Sequence, residues 1–388
     1  MAPIRRYLDW NATAPLSGPA RVAMIEALEL PGNASAVHAE GRTARAAVER
    51  ARRQVASLVG TDPAHVTFTS GATEAANHVL TPDFRMGRAP LAVSRLYISA
   101  IEHPAVREGG RFDRSQVTEV PVSGDGTLDL AALDELLSAH DRDLGLPMVA
   151  VMLVNNETGI IQPVHEAASI AHRHGGLVVV DVVQAVGRIP VDIHPLDADF
   201  LFLSSHKIGG PKGVGALVSR GEVLMPKPLL MGGGQEKGHR SGTENFHAVV
   251  GFGAAAEAVG RDLLARNAAI GVLRDRLEQG MRRAAPDVLI HGETVARVAN
   301  TSFFTLPGLK AETGQIAFDL EGIALSAGSA CSSGKVGESY VLTAMGGDPT
   351  LGALRISLGP DTTEDDIAQA LAAFGKIAAR RKPAGQAA

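Results

Sequence analysis

From about residue 40 onward, short runs of β-branched and apolar residues alternate with stretches of helical periodicity. Successive strand and helix units of this kind build a mostly parallel sheet with helices on its faces, so the chain reads as α/β. Strands are expected at Val66 to Thr69, Leu96 to Ser99, Val149 to Val154, Leu177 to Asp181, Phe200 to Ser204 and Gly215 to Ser219. Helices are expected in RTARAAVERARRQVASLVG, with Gly60 as its stop, and in VHEAASIAHRHGG. Near residue 246 the pattern changes to one long Ala-rich helical stretch, Phe246 to about Ala284. DVLIHG, VANTSFFTL, IALSAGS and LRISLG then read as strands of a smaller α+β part, closed by the helix TTEDDIAQALAAFGKIAARR.

Composition narrows what such a body can do. Cys331 is the only cysteine among 388 residues, which excludes an internal disulfide and any thiolate-built metal centre. Lys and Arg number 37 against 42 Asp and Glu, and a net charge of −5 gives no reason to expect a nucleic-acid partner. The apolar runs are too short to span a bilayer, and MAPIRRYLDW lacks the apolar core of a secretory signal, so no membrane partner and a cytoplasmic location are expected.

Familiar short motifs fail residue by residue. GGPKGVG lacks the Lys-Ser or Lys-Thr ending of a P-loop, GGGQEKG lacks the third glycine of a dinucleotide fingerprint, and HEAAS has Ser169 where a zinc protease needs its second histidine. His172 and His174 lie two apart on a helix and point in different directions, which favours a solvated pair over a metal site. Arg42, Arg45, Arg50, Arg52 and Arg53, with Glu40 and Glu49 beside them, read as a solvated helix face.

What remains are polar residues at the C-terminal ends of expected strands, where open α/β sheets bind ligands. Asn155 and Asn156 follow VAVMLV, Asp181 closes LVVVD, Ser204, Ser205, His206 and Lys207 follow FLFL, and Gly71, Ala72 and Thr73 follow VTFTS and open a helix. Taken singly, Asp181 is as readily a turn former, and a lysine in a glycine-rich loop is usually a surface residue. Taken together they match a cofactor: a Gly-Ala-Thr turn for a phosphate, an acid for a ring nitrogen and a lysine for an aldehyde are what pyridoxal phosphate (PLP) requires.

In these and further segments the sequence resembles the NifS/IscS-type cysteine desulfurases, of the class V aminotransferase group with PLP fold type I. The segments are YLDWNATAP, GNASAVHAEGR, VTFTSGATEAAN, EHPAV, VNNETGIIQPV, VVDVVQAVGRIPVDI, SSHKIGGPKGVGAL, GGGQEKGHRSGTEN, SAGSACSSGKV and LRISLG, running in order from Tyr7 to Gly359. The resemblance implies a large PLP-binding domain over 16–260, with a mostly parallel seven-stranded sheet, and a small domain of 1–15 and 261–388 carrying the cysteine loop. It implies that Lys207 holds PLP through a Schiff base and later moves the substrate Cα proton, and that Asp181 keeps the ring nitrogen protonated. Gln184 and Asn156 would lie near the ring's phenolic oxygen, with Asn156 also facing substrate. His103 would stack on the ring as an acid/base, and Thr73, Ser204 and His206 would hold the phosphate. Thr243 would reach the phosphate of a neighbouring subunit, implying a homodimer, and Arg355 would clamp the substrate carboxylate as a bidentate fork.

A lone cysteine without context is most simply a small buried hydrophobe. The resemblance instead makes Cys331 the nucleophile that takes sulfur from L-cysteine, leaving alanine and a persulfide, with Lys335 or His103 favouring the thiolate. The sulfur would pass to an acceptor or scaffold protein for iron-sulfur cluster or thio-cofactor synthesis. Within the same group, a selenocysteine lyase or an aminotransferase is the alternative, and outside it a catalytically silent partner-binding relative. Retention of Lys207, Asp181, His103, Arg355 and Cys331 weighs against the last.

Overall fold

In the computed structural model the described residues are 5–328, 339–348, 350 and 352–381. Their strands begin with β1 (Arg6–Tyr7), β2 (Val66–Thr69), β3 (Asp83–Met86), β4 (Ala89–Ser99) and β5 (Val117–Val120). There follow β6 (Leu146–Met152), β7 (Leu177–Asp181), β8 (Phe200–Ser204), β9 (Gly215–Ser219) and β10 (Leu224–Pro226). The last are β11 (Leu289–Ile290), β12 (Thr301–Thr305), β13 (Ile323–Ala324), β14 (Ser326–Ala327) and β15 (Leu354–Ser357).

The large sheet has nine strands in the order β10-β3-β4-β6-β7-β8-β9-β2, with β5 also paired to β4. It corrects the expected seven-stranded, mostly parallel sheet. β5, β4, β6, β7 and β8 run parallel, but β3 and β10 extend one edge and β9 and β2 the other through antiparallel pairings. One cause is the hairpin between β3 and β4, whose two-residue loop starts at Gly87 with φ 61°, a conformation glycine adopts without strain. At the other edge two antiparallel pairings in series, β8 with β9 and β9 with β2, leave β2 running in the same direction as β8. The C-terminal ends of β2, β4, β6, β7 and β8 therefore share one edge of the sheet.

The central strands are unbroken apolar runs because both faces are covered. In β7, Val178 and Val180 belong to one core cluster and Val179 to the cluster on the opposite face; in β8, Leu201 and Leu203 divide from Phe200 and Phe202 in the same way. A further core joins Leu8 to Phe304, Phe318, Ile356 and Phe374, around the antiparallel sheet β11-β12-β15-β14 and the parallel pair β1-β13. The N-terminal segment thus packs with residues about three hundred positions later and beyond. No helix among the described residues is long and apolar enough to cross a membrane.

Three local expectations change. Phe246 to Ala284 is two helices, Phe246–Gly260 and Leu263–Ala284, broken where Asp262 takes φ 51°. The pair His172 and His174 is engaged by carboxylates: His172 Nδ1 and Nε2 lie 3.0 and 3.1 Å from Asp197 and Asp199, and His174 Nε2 lies 2.7 Å from Asp134. The hydrogen bond to Asp199, followed by the charges of both aspartates, holds the His172 pKa above its ordinary value.

Arg52 departs most from its expected solvated face. It is buried, its guanidinium lies 4.8 Å from the centre of the Phe68 ring, and its terminal nitrogens meet both oxygens of Glu236 at 2.6 and 2.9 Å. Glu236 Oε2 also accepts the Phe68 N–H at 3.0 Å. Removing one member strands the other charge, so Arg52→Met is expected to cost about 3 to 5 kcal/mol, read as a lower denaturant midpoint. A midpoint unchanged from the parent would show that solvent screens the pair.

Candidate active site

The edge formed by the strand ends opens on a cavity of about 450 Å³. Its wall includes Thr73, His103, Asn156, Asp181, Gln184, Ser204, His206 and Lys207. Eight sequence-predicted residues, drawn from segments up to 134 positions apart, are thus brought together.

At the floor, the helix Ala72–Val79 starts at Gly71, which offers no side-chain cap to the first turn and has no heavy atom within 4 Å of where a Cβ would stand. First-turn N–H groups at an uncapped helix start favour an anion. Thr73 adds a hydroxyl-bearing side chain to the lining, while Glu74 accepts the Ser70 N–H and pairs with Arg240, which fixes the turn from outside.

Asp181 closes β7 inside the cavity. Burial pushes its pKa up to about 7, against the Val183 N–H bond to Oδ1 at 2.8 Å and the charge of Lys207. Lys207 ends the tight turn after β8, and its Nζ donates to the carbonyl oxygens of Asn11 at 2.5 Å and Ala12 at 2.9 Å. His103 caps the short helix Pro104–Arg107 by accepting the Ala105 N–H at Nδ1, at 3.1 Å. Burial, then Lys207, lowers its pKa to about 4, so the ring is neutral at physiological pH. His206 is lowered to about 4 by burial and by Lys207 and Lys212, with its Nδ1 3.1 Å from Thr13 Oγ1. Gln184 donates through Nε2 to Asn11 O at 3.0 Å, and its buried Oε1 has no partner among the described residues.

The remaining predicted residues lie elsewhere. Thr243 lines a neighbouring cavity of about 140 Å³ with Ser70, Gly213 and Arg240. Arg355 on β15 is fully buried and does not line the larger cavity. In place of a free fork, Nη1 donates to Asn156 O at 2.7 Å and Nη2 to Asp9 Oδ1 at 2.8 Å, while Nε has no partner among the described residues. Cys331 and Lys335 lie outside the described residues.

Sequence reasoning missed three buried groups around this cavity. Asn11 is a hub: its carbonyl accepts Lys207 and Gln184, its Oδ1 accepts Arg188 and Asn300, and its Nδ2 donates to Thr301. Glu102 is wholly buried, accepts the Met152 N–H at 2.7 Å, and is raised well above the usual carboxylate range by burial and the Asp181 charge. Glu157 is the third, pushed up to about 7 by burial. Both acids stand directly beside singled-out residues, in EHPAV and NNETG, which was the available signal.

An acid, a neutral imidazole and a lysine around one partly enclosed space, with an anion-binding turn at its floor, can hold a phosphorylated aromatic aldehyde and move protons beside it. Comparison with known proteins points the same way. Residues 6–370 match the family described as Aminotransferase class-V. The chain is 39% identical over 381 residues to a cysteine desulfurase of Sinorhizobium fredii, covering 96% of this chain and 95% of that one. Its fold is similar to the crystal structure of a NifS-like protein from Rickettsia africae, with TM-score 0.84, 32% identity and coverage of 96% and 99%. It is also similar to a structure described as SspA in complex with cysteine, with TM-score 0.73, 25% identity and coverage of 92% and 100%.

Proposed function

From a chain that belongs to the class V aminotransferase family, with cysteine desulfurases among its relatives, we propose a PLP-dependent cysteine desulfurase that converts L-cysteine to L-alanine and leaves the sulfur on Cys331. The observation that carries the reading is the convergence of Lys207, Asp181 and His103 on one cavity above the uncapped turn at Gly71.

The residues present fit PLP. Asp181 is a buried acid on the cavity wall, its Oδ1 taken by the Val183 N–H, and burial outweighs the charge of Lys207 in setting its pKa, which suits a site for a protonated ring nitrogen. The orphaned Gln184 Oε1 and the open cradle at Gly71 are further unmet polar features along the same wall. Lys207 would hold the cofactor covalently, with Asn156 and Gln184 near its phenolic oxygen, His103 on its ring face, and Thr73, Ser204 and His206 at its phosphate. Bound there, PLP supplies an electron sink that makes the substrate Cα–H acidic.

The chain's own residues do the rest. Lys207 Nζ takes the Cα proton and returns it, while Asp181 opposes loss of the ring-nitrogen proton. His103, neutral and half-buried, exchanges a proton at Nε2. Cys331 attacks the substrate Sγ as a thiolate: the S–S bond forms, the C–S bond breaks, and its electron pair returns to the carbon skeleton, which is protonated to alanine. Arg355 would take the substrate carboxylate only by exchanging its present bonds to Asn156 O and Asp9, since in this structure it stands behind the cavity wall. The substrate assignment is supported by the cysteine named in the similar SspA structure.

With a single thiol in the chain, the persulfide sulfur leaves to an external thiol, on an acceptor or scaffold protein or a small reductant. This is thiol chemistry suited to the reducing cytoplasm. The site completes as a homodimer. In support, Val22, Ile25 and Leu28, spaced three apart on the helix Gly18–Leu28, are 55%, 56% and 62% exposed, an apolar face of the kind subunits bury, and Thr243 stands outside its own cavity.

Purified protein given PLP, L-cysteine and a reductant is expected to yield alanine and sulfide in equal amounts, and Cys331→Ala to yield neither above background. Absence of alanine from the intact protein overturns the reading. Full sulfide release by Cys331→Ala overturns the persulfide route.

A further inference from the structure

Glu157 takes no part in the chemistry above, yet it occupies a distinctive place. It lies in the turn after β6, immediately after Asn156, where Asn155 Oδ1 accepts the N–H groups of Glu157 and Thr158, both at 2.9 Å. The residue is 1% exposed. A buried carboxyl is expensive to keep, and such groups concentrate where a structure needs one defined arrangement.

Oxygen Oε2 shows what the arrangement is. Ser339 Oγ donates to it at 2.7 Å. On the other side lies Gly328, so close that a Cβ there would stand 2.8 Å from the same oxygen and 2.8 Å from the Phe303 ring. Gly328 and Ser339 are the residues on either side of 329–338, the stretch that contains Cys331. Two chain positions eleven apart thus flank one carboxyl oxygen, Ser339 by a hydrogen bond and Gly328 by leaving no room for a side chain. Each is also held independently: Gly328 N donates to Ala353 O at 2.9 Å beside β15, and Ser339 Oγ accepts the Leu342 N–H at 3.1 Å to cap the helix Tyr340–Ala344.

The same turn reaches the reacting region. Asn156 lines the cavity, its carbonyl accepts Arg355 Nη1, and the Arg355 charge acts on Glu157. Glu157 therefore ties the flanks of the cysteine-bearing stretch to the turn that presents Asn156 and Arg355.

We propose that Glu157 is a positioning residue, which fixes Gly328 and Ser339 against the Asn156 turn and so sets the approach of Cys331 to the substrate sulfur. The proposal rests on the desulfurase reading for what is approached, but not for the anchoring itself.

Its test separates sulfur transfer from proton transfer. Holoenzyme variants Glu157→Ala and Ser339→Ala are compared with the parent in sulfide release from L-cysteine and in Cα–H exchange of L-alanine in D₂O, which needs Lys207 but no thiol. Sulfide release is expected to fall at least about tenfold in kcat with KM within about twofold, while Cα–H exchange stays within about twofold. Sulfide release at the parental rate in both variants, or a parallel loss of Cα–H exchange, overturns the proposal. Gly328→Ala, which displaces the carboxylate without deleting it, is expected to reproduce the split if Glu157→Ala does not fold. Amide hydrogen exchange of peptides spanning 322–345 gives a readout that stands apart from the desulfurase reading. Faster exchange there in Glu157→Ala, with the rest of the chain unchanged, supports the anchor even if the parent releases no sulfide. Unchanged exchange overturns it.

Discussion

Lys207→Ala is expected to remove both alanine formation from L-cysteine and Cα–H exchange of L-alanine, each by at least about 10⁴-fold. The size follows from two losses at one atom: a general base contributes roughly 10² to 10⁴, and the covalent hold on the cofactor goes with it. Three other titratable groups on the cavity wall cannot replace it. His103 and His206 are held near a pKa of 4, too weak as bases at neutral pH to take a carbon-bound proton, and in the proposed site Asp181 would be committed to the ring nitrogen. The turn itself should survive, because the Asn11 and Ala12 carbonyls that Lys207 Nζ meets belong to another segment, and Gln184 still engages Asn11. Measurement of both reactions decides the point: if Lys207→Ala keeps Cα–H exchange within about tenfold of the parent, the base is another group.

The second large effect is at Asp181 and has opposite signs in activity and in stability. Asp181→Asn is expected to lower kcat/KM for L-cysteine by roughly 10² to 10³, the usual loss when a fixed charge facing a developing charge is removed. In protein freed of cofactor the same substitution should stabilise at high pH. A carboxyl whose pKa is near 3.9 in the unfolded chain and about 7 in the fold takes up protons on folding. The stability this contributes is fully present below about pH 4 and is lost as pH rises through 7, by up to about 4 kcal/mol for a shift of this size. Asparagine cannot ionise and escapes the loss. Urea denaturation at pH 5 and at pH 8 should show the advantage of Asp181→Asn growing with pH. An advantage that stays flat would mean that the carboxylate is better solvated than its burial implies.

Glu157 and Glu102 carry the same kind of cost, since burial raises both. Three buried acids around one cavity make the cofactor-free protein less stable at alkaline pH than its core alone would suggest, the familiar exchange of stability for a prepared site.

Much of the frame was legible because its signals are local. β2, β7, β8 and β9 start and end at the expected residues: each is a short apolar run closed by a polar residue, and a strand covered on both faces needs little else. β3 and β10 escaped notice for the converse reason. Asp83–Met86 buries only Phe84, and Leu224–Pro226 ends in proline, so neither carries the apolar run by which the others were found. The break at Asp262 was hidden because residues on both sides keep helical periodicity, and only a single left-handed φ separates them. At the site, strand-end position alone selected Lys207, Asp181, Asn156, Ser204, His206 and Thr73. Asn11, Glu102 and Glu157 owe their roles to partners far away in sequence, which no local pattern announces.

Charge shows the limit most clearly. Arg52 has the same neighbours in sequence as the other arginines of its helix, yet it alone faces inward onto Phe68 and finds Glu236. Residue types, order and spacing determined the class of chemistry available to this chain: one thiol, one lysine after a strand, one acid closing another, one open turn. Only the tertiary structure decided what state those groups are in. A pKa of about 7 at Asp181, a neutral His103 and a Glu157 oxygen bonded to Ser339 and hard against Gly328 all arise from desolvation and long-range contact. Both depend on which surfaces the fold brings together, and neither is a property of any short stretch of chain.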